Sequence, residues 1–402
     1  MSWARSIAVG LTALGVITAG LSSGPATGAS AAPAEQGRTA RTGVADAVPG
    51  SYIVTLKDAV ARADSAAGRA VARKYGVTVK RTYRQAVNGY AVRASEAQAE
   101  RLARDPAVAS VSADRTFHVT ASQPRPPSWG LDRIDQPKLP LDRRYTYPAG
   151  AGSGVTAYII DSGVRITHQD FGGRASDGYD AIDDDLVAQD GNGHGTHVAA
   201  IAAGSRYGVA KKAKIVAVRV LDDAGSGTTE QIVAGIDWVT RHAAKPAVAN
   251  LSLSGGVDAV VDQAVRRSIA SGVTYTVAAG NDSQDASLHS PARVREAITV
   301  GATTERDARD SLSNYGGALD LFAPGESIAS AWNASDTATV TDSGTSMAAP
   351  HVAGAAALYL ADHPTARPAQ VAAALTTAAT TGVVTRPGAG SPNRLLAIKA
   401  PH

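Results

Sequence analysis

The 402-residue chain contains no cysteine. That absence excludes disulfides, a thiolate nucleophile and cysteine-ligated zinc together. It does not exclude an oxidising compartment, because a chain of this length can bury a core that needs no covalent staples. Aromatic residues are scarce, at 5%, and there are only two methionines. An excess of one charge sign is lacking too: 39 Lys and Arg face 36 Asp and Glu. Residues 1–120 carry 15 basic and 8 acidic side chains, whereas residues 121–402 carry 24 and 28 and are net negative. The larger part therefore gives no support for nucleic-acid binding. The chain also lacks the zinc-protease pattern H-E-x-x-H, and no apolar run reaches the roughly 20 residues of a membrane-spanning helix. What remains is an ordinary globular composition, 44% hydrophobic, with 40 glycines available for tight turns and close backbone approach.

Residues 1–31 read as a cleaved secretory leader, with Arg5 in the basic start, a short apolar stretch from Ile7 to Leu21, and Ala29-Ser30-Ala31 as a small-x-small cleavage site. Residues 32–47 read as a linker, since they show no apolar period. From Val48 to about residue 120 the texture is that of a small α+β module. Strands are expected at Ser51–Leu56, Val77–Val79, Tyr90–Val92 and Val108–Val111, and helices at Ala66–Tyr75 and Glu96–Ala103. Gln123-Pro124-Arg125-Pro126-Pro127 marks a break, and residues 121–402 form the second domain. Its theme is a short apolar strand, a Gly/Ser/Asp loop and a helix. Strands are expected at Val155–Ile160, Ile215–Val220, Val248–Leu253, Thr274–Ala278 and Ala297–Val300. Helices are expected at Thr229–His242, Val257–Ser271 and Ala348–Leu360. Continuous apolar strands alternating with helices predict an α/β fold of three layers, a parallel sheet covered on both faces. Sites in such folds form beyond the carboxyl ends of the strands.

Three segments fit that rule. Asp161 directly follows the first of these strands. In Asp190-Gly191-Asn192-Gly193-His194-Gly195-Thr196-His197, three glycines let a substrate or backbone approach His194, which opens a small-residue helix. In Asp342-Ser343-Gly344-Thr345-Ser346-Met347-Ala348-Ala349-Pro350-His351, Ser346 precedes a long Ala/Gly-rich helix whose N-terminus favours negative charge beside the hydroxyl. Alone, each has a plainer reading: a turn aspartate, a helix-capping histidine or a zinc pair with His197, an N-cap serine. Together they supply a carboxylate, a base and a nucleophile, the set that activates a serine hydroxyl. The third segment is not the G-x-S-x-G elbow of lipases and esterases.

The order Asp, His, Ser is that of subtilisin. The segments Tyr158–Gly163, Asp190–His197 and Gly344–Val352 resemble the three signature blocks of the subtilases. Similarity to the proteinase K and aqualysin branch runs from about Trp129 to Leu396, through Tyr207–Lys212, Asp222–Gly227, Trp238–Arg241 and Ser391–Leu396. The resemblance implies a secreted serine endopeptidase with Asp161, His194 and Ser346 as its triad and Asn281 as oxyanion donor beside the Ser346 N–H. It implies that Gly225, Ser226 and Gly227 on one side, and Ser252, Leu253, Ser254 and Gly255 on the other, hold a peptide as an added strand. Close relatives carry glycine where this chain has Ser254. It implies that residues 48–120 are an inhibitory propeptide and folding aid, with Phe117-His118-Val119-Thr120 lying in the cleft until the chain cuts itself. It implies structural calcium on Asp320 with the backbone carbonyls of Arg295 and Ala297; Asp183-Asp184-Asp185 is a less specific candidate. Aqualysin-type members carry cysteines at four places that here are Gly191, Asp223, Ser287 and Ala318. The other partners expected are protein and peptide substrates, with no nucleic acid, no membrane once the leader is removed, and a monomeric state. The alternatives are a catalytically silent binding protein of the same fold and a serine esterase.

Overall fold

The computed structural model describes residues 47–115 and 120–398. The leader, nearly all of the linker, and Phe117-His118-Val119 lie outside the described residues. The chain forms two compact units that divide after Arg115.

The first unit is the expected α+β module: β1 (Ala47–Leu56), α1 (Ala66–Lys74), β2 (Thr78–Tyr83), β3 (Gly89–Arg93), α2 (Glu96–Ala103) and β4 (Val108–Arg115). Its antiparallel sheet has the order β2-β3-β1-β4. β1 alternates, so Val54 and Leu56 are buried with Tyr90, Val92, Leu102 and Val111 in a core of this unit's own. Both helices start at serine caps, Ser65 and Ser95. Ser95 closes a capping box with Gln98.

The second unit begins with β5 (Thr120–Pro124), α3 (Trp129–Ile134) and β6 (Arg144–Pro148). β5 and β6 pair antiparallel, with Pro124 opposite Arg144. The expected Pro-rich break thus starts inside a strand, because a proline costs little at the end of an edge strand. There follow β7 (Thr156–Asp161), β8 (Ala175–Asp180), α4 (His194–Ala203), β9 (Lys214–Arg219), α5 (Thr229–His242), β10 (Ala247–Leu251), β11 (Gly255–Gly256), α6 (Ala259–Ala270), β12 (Thr274–Ala278), β13 (His289–Ser290), β14 (Ile298–Thr303), β15 (Leu321–Pro324), β16 (Ile328–Ala331), β17 (Thr339–Asp342), α7 (Thr345–Asp362), α8 (Pro368–Ala378), β18 (Thr380–Thr381) and β19 (Arg394–Leu395).

Nine of these strands make one sheet, ordered β18-β19-β15-β14-β12-β10-β7-β9-β8 and parallel except for β18. Alternation along β7 builds both faces. Ala157 and Ile159 pack with α4 and α7, whereas Tyr158 and Ile160 pack with α5 and α6. α4 and α7 approach closely because their facing residues are small. A Cβ on Gly354 would lie 2.7 Å from the Ala202 carbonyl oxygen. β8, of sequence ASDGYD, carried no strand signal. It is an edge strand with little apolar surface to bury. Among the described residues no helix is long and apolar enough to cross a membrane.

Candidate active site

Asp161 is the last residue of β7 and is fully buried. Its Oδ1 accepts from the Ser162 N–H at 2.7 Å and lies 2.7 Å from His194 Nδ1. That contact fixes the imidazole tautomer, with Nδ1 bearing the proton and Nε2 free to accept. Burial disfavours an imidazolium at His194, but Asp161 outweighs it, with Asp342 and Asp190 adding, and the ring's pKa is raised above the ordinary value. His194 is the first residue of α4, whose N-cap is Gly193 at φ +115°. A side chain at Gly193 would meet the Trp332 ring at 2.4 Å, and one at Gly195 would meet the Gly163 carbonyl oxygen at 2.1 Å. Gly195 thus lets the Asp161 loop and the His194 helix touch backbone to backbone, and Gly193 makes room for the Trp332 ring.

Ser346 lies in the first turn of α7, not before it as expected; Gly344 is the N-cap. The plain reading of Ser346 as a cap is therefore excluded. As the second helical residue it has an N–H without an intrahelical partner. Pro350 sits inside the same helix and has no N–H for the Ser346 carbonyl, its normal i−4 acceptor. That carbonyl instead accepts from Ser252 Oγ at 2.7 Å, while Ser346 Oγ donates to the Ser252 carbonyl at 3.2 Å. The Ser346 segment is thereby fastened to the residue that follows β10. No hydrogen bond joins Ser346 to His194 in this arrangement. Hydrogen bonds of this kind are often long or poorly aligned before substrate binds.

Asn281 follows β12 through Ala279 and Gly280. Its Oδ1 accepts from both the N–H and the hydroxyl of Thr345, at 2.9 and 3.0 Å, and the Thr345 hydroxyl accepts from the Gly280 N–H at 3.1 Å. The oxygen is thus committed to capping α7 and the amide NH₂ is left available.

Gly225, Ser226, Gly227, Ser252, Leu253, Ser254 and Gly255 all line one cleft of about 620 Å³, together with His194, Asn192 and Leu221. Ser254 projects toward Gly280, where an added Cβ would lie 2.9 Å from its hydroxyl. Sequence reasoning gave no role to Thr345, Ser252 Oγ or Pro350 in holding the site. Their partners are 64 and 94 residues away in sequence, beyond the reach of any local pattern.

The other candidates separate. His197 is buried, and its Nε2 meets the carbonyls of Ile328 and Val340 at 3.1 and 3.2 Å. Burial drives its pKa down to about 4. It is a neutral tie to the β16–β17 hairpin and not half of a zinc site. In the acidic run, Asp183 faces Arg219, which also pairs with Asp180 and Asp223, while Tyr179 donates to Asp184. That centre is filled by a guanidinium. Asp320 is half-buried, with Oδ2 accepting from the Thr299 N–H at 2.8 Å, and burial pushes its pKa up to about 6. A half-buried carboxylate bonded to β14 at Thr299 suits a hard cation. The Arg295 side chain is exposed and so leaves its carbonyl usable. Among the described residues no three His, Asp or Glu side chains cluster as a metal site, so a cation there would depend on carbonyls. Gly191 and Asp223 adjoin: a Cβ at 191 would meet the Asp223 carboxylate.

A carboxylate that orients an imidazole, beside a serine held at a helix N-terminus, is the working arrangement of a serine hydrolase. The chain belongs to the subtilase family, whose model matches residues 152–394, and a peptidase inhibitor I9 model matches residues 51–120. It is a subtilisin-like serine endopeptidase made with an inhibitor-type domain ahead of the catalytic one. It is 56% identical to an extracellular serine proteinase of a Thermus species, over 80% of this chain and 78% of that protein. It is 48% identical to alkaline serine exoprotease A of Vibrio alginolyticus, over 80% of this chain and 60% of that protein. Among solved structures, a cold adapted subtilisin-like serine proteinase superposes with a TM-score of 0.65 at 52% identity, over 67% of this chain and 97% of that one.

Proposed function

We propose that the enzyme is secreted and cuts peptide bonds through an acyl-enzyme on Ser346. His194 takes the hydroxyl proton and returns it to the leaving amine. Asp161 holds the tautomer and stabilises the imidazolium. Asn281 Nδ2 and the Ser346 N–H receive the oxyanion. The observation that carries this reading is the 2.7 Å contact of buried Asp161 with His194 Nδ1. The cleft segments at 225–227 and 252–255 bind the substrate main chain as an added strand, which gives affinity with little sequence demand. The test is hydrolysis of a fluorogenic peptide amide, with and without a serine-directed phosphonate, beside a long-chain ester. Phosphonate-resistant cleavage or a preference for the ester would overturn the reading.

Residues 48–120 act as the intramolecular inhibitor and leave when the chain cuts itself near Ala121; the inhibitor-family match to residues 51–120 supports this. The leader at 1–31 directs the chain out of the cell, in keeping with the extracellular relative. Asp320, with the carbonyls of Arg295 and Ala297, would hold calcium. When bound it would supply charge to balance the half-buried Asp320 carboxylate and rigidity to the loops before β14 and β15, with no part in bond cleavage.

A further inference from the structure

Both helices that carry reacting side chains begin at a glycine that offers no capping group, Gly193 for α4 and Gly344 for α7. Each borrows a cap from elsewhere. α7 takes Asn281. α4 takes Asp190, three residues before its N-cap.

Asp190 makes more hydrogen bonds than capping requires. Its Oδ1 accepts from the Asn192 and Gly193 N–H groups at 3.0 and 2.8 Å, and from Ser162 Oγ at 2.9 Å. Its Oδ2 accepts from the Thr196 N–H at 2.9 Å and from Thr196 Oγ1 at 2.5 Å. Ser162, next to Asp161 and fully buried, in turn accepts from the Gly195 N–H at 3.0 Å. Thr196 Oγ1 accepts from the Arg165 N–H at 2.9 Å. One carboxylate therefore ties the loop leaving β7 to the first turn of α4, at residues adjoining both Asp161 and His194.

We propose that Asp190 is a positioning residue for the reaction: it sets the register between Asp161 and His194 and so the aim of the imidazole at Ser346. The proposal rests on the triad reading given above. A carboxylate that accepts five hydrogen bonds can do this because each bond is charge-assisted and the bonds converge from two separate chain segments. A misplacement of about 1 Å in such a pair costs on the order of 100-fold in turnover. Asp190 also contributes charge. The charged groups facing His194 are Asp161 at the end of β7, Asp342 at the end of β17 and Asp190 in the preceding loop; the titratable His197, one turn along α4, is neutral.

The test compares Asp190→Asn, Ser162→Ala and Asp342→Asn in the full chain, with active sites titrated by a phosphonate so that kcat refers only to matured enzyme. Positioning predicts that Asp190→Asn loses about 10- to 100-fold in kcat on the alkaline plateau, with KM within twofold. Its acid limb moves to lower pH as well. Ser162→Ala severs only the bridge between the loops; it loses several-fold in plateau kcat with no movement of the limb. Asp342→Asn is the charge control and moves the limb with no plateau loss. If the plateau kcat of Asp190→Asn and Ser162→Ala stays within twofold of wild type, even with lowered thermal stability, Asp190 only holds the loop together and the proposal is overturned. Should Asp190→Asn not mature, Ser162→Ala decides by the same plateau criterion. Failure of the triad reading itself is distinguishable, because wild-type titration by the phosphonate would then fail.

Discussion

The Thr345 N–H and hydroxyl both donate to Asn281 Oδ1, at 2.9 and 3.0 Å. An amide whose oxygen is used twice can present only its NH₂ to solvent, so the donor is oriented before substrate arrives. Asn281→Ala should lower kcat by about 10²–10³ with little change in KM, the range found when the equivalent donor is removed from subtilisin, a member of the same family. Thr345→Val removes one of the two bonds that orient the amide and should cost about tenfold. The check is kcat and KM on a peptide anilide. A Thr345→Val loss that appears only in KM would show that amide orientation is not limiting.

Ser346→Ala removes the proposed nucleophile. It should abolish peptide hydrolysis and leave the precursor uncut, since the cut between the units is made by the same site. Electrophoresis and N-terminal sequencing of the purified variant check this. Maturation of Ser346→Ala in the absence of other proteases would refute self-processing.

The pH dependence follows from His194. The free base must accept the Ser346 proton, so kcat/KM is lost as the pH falls through the His194 pKa. Asp161, Asp342 and Asp190 together outweigh burial and raise that pKa. The acid limb should therefore lie above the ordinary imidazole value of about 6.5, and high salt should shift it downward by screening the more exposed Asp342. A limb below that value would contradict the electrostatics described.

The inhibitor-type unit has its own core, including Val54, Tyr90, Val92 and Leu102. Residues 48–120, produced separately, should inhibit the mature enzyme in trans. The mature chain should begin near Ala121, which lies within β5 and pairs with Tyr147 of β6. A mature N-terminus before residue 100 would contradict this layout.

Calcium should lengthen the half-life of the mature enzyme at elevated temperature. Saturation at about 100 times Kd adds roughly 2.7 kcal/mol to the folded state. Thermal inactivation of wild type and Asp320→Ala, in millimolar calcium and in chelator, separates the cases. Chelation should shorten the wild-type half-life and leave the variant unchanged. Equal shortening of both would move the site away from Asp320. Reducing agents should have no effect, because the chain has no cysteine.

The sequence by itself determined the α/β class, the first unit's six elements and the three segments that carry Asp161, His194 and Ser346. Those signals are local. Apolar strands buried on both faces read as continuous runs, and the range Thr229–His242 expected for α5 is the observed helix, which starts at a capping box of Thr228 and Gln231. Glycines beside a functional residue likewise mark close approach wherever they occur. The tertiary structure alone decided what holds those residues in place. Pro350 frees the Ser346 carbonyl only because Ser252, 94 residues earlier, stands ready to donate to it. The acidic run at 183–185 looks like a cation site until Arg219, from a neighbouring strand, fills it. β8 was invisible because an edge strand need bury little. Such partners are set by strand order and helix packing, which bring together residues that no periodicity in the chain relates.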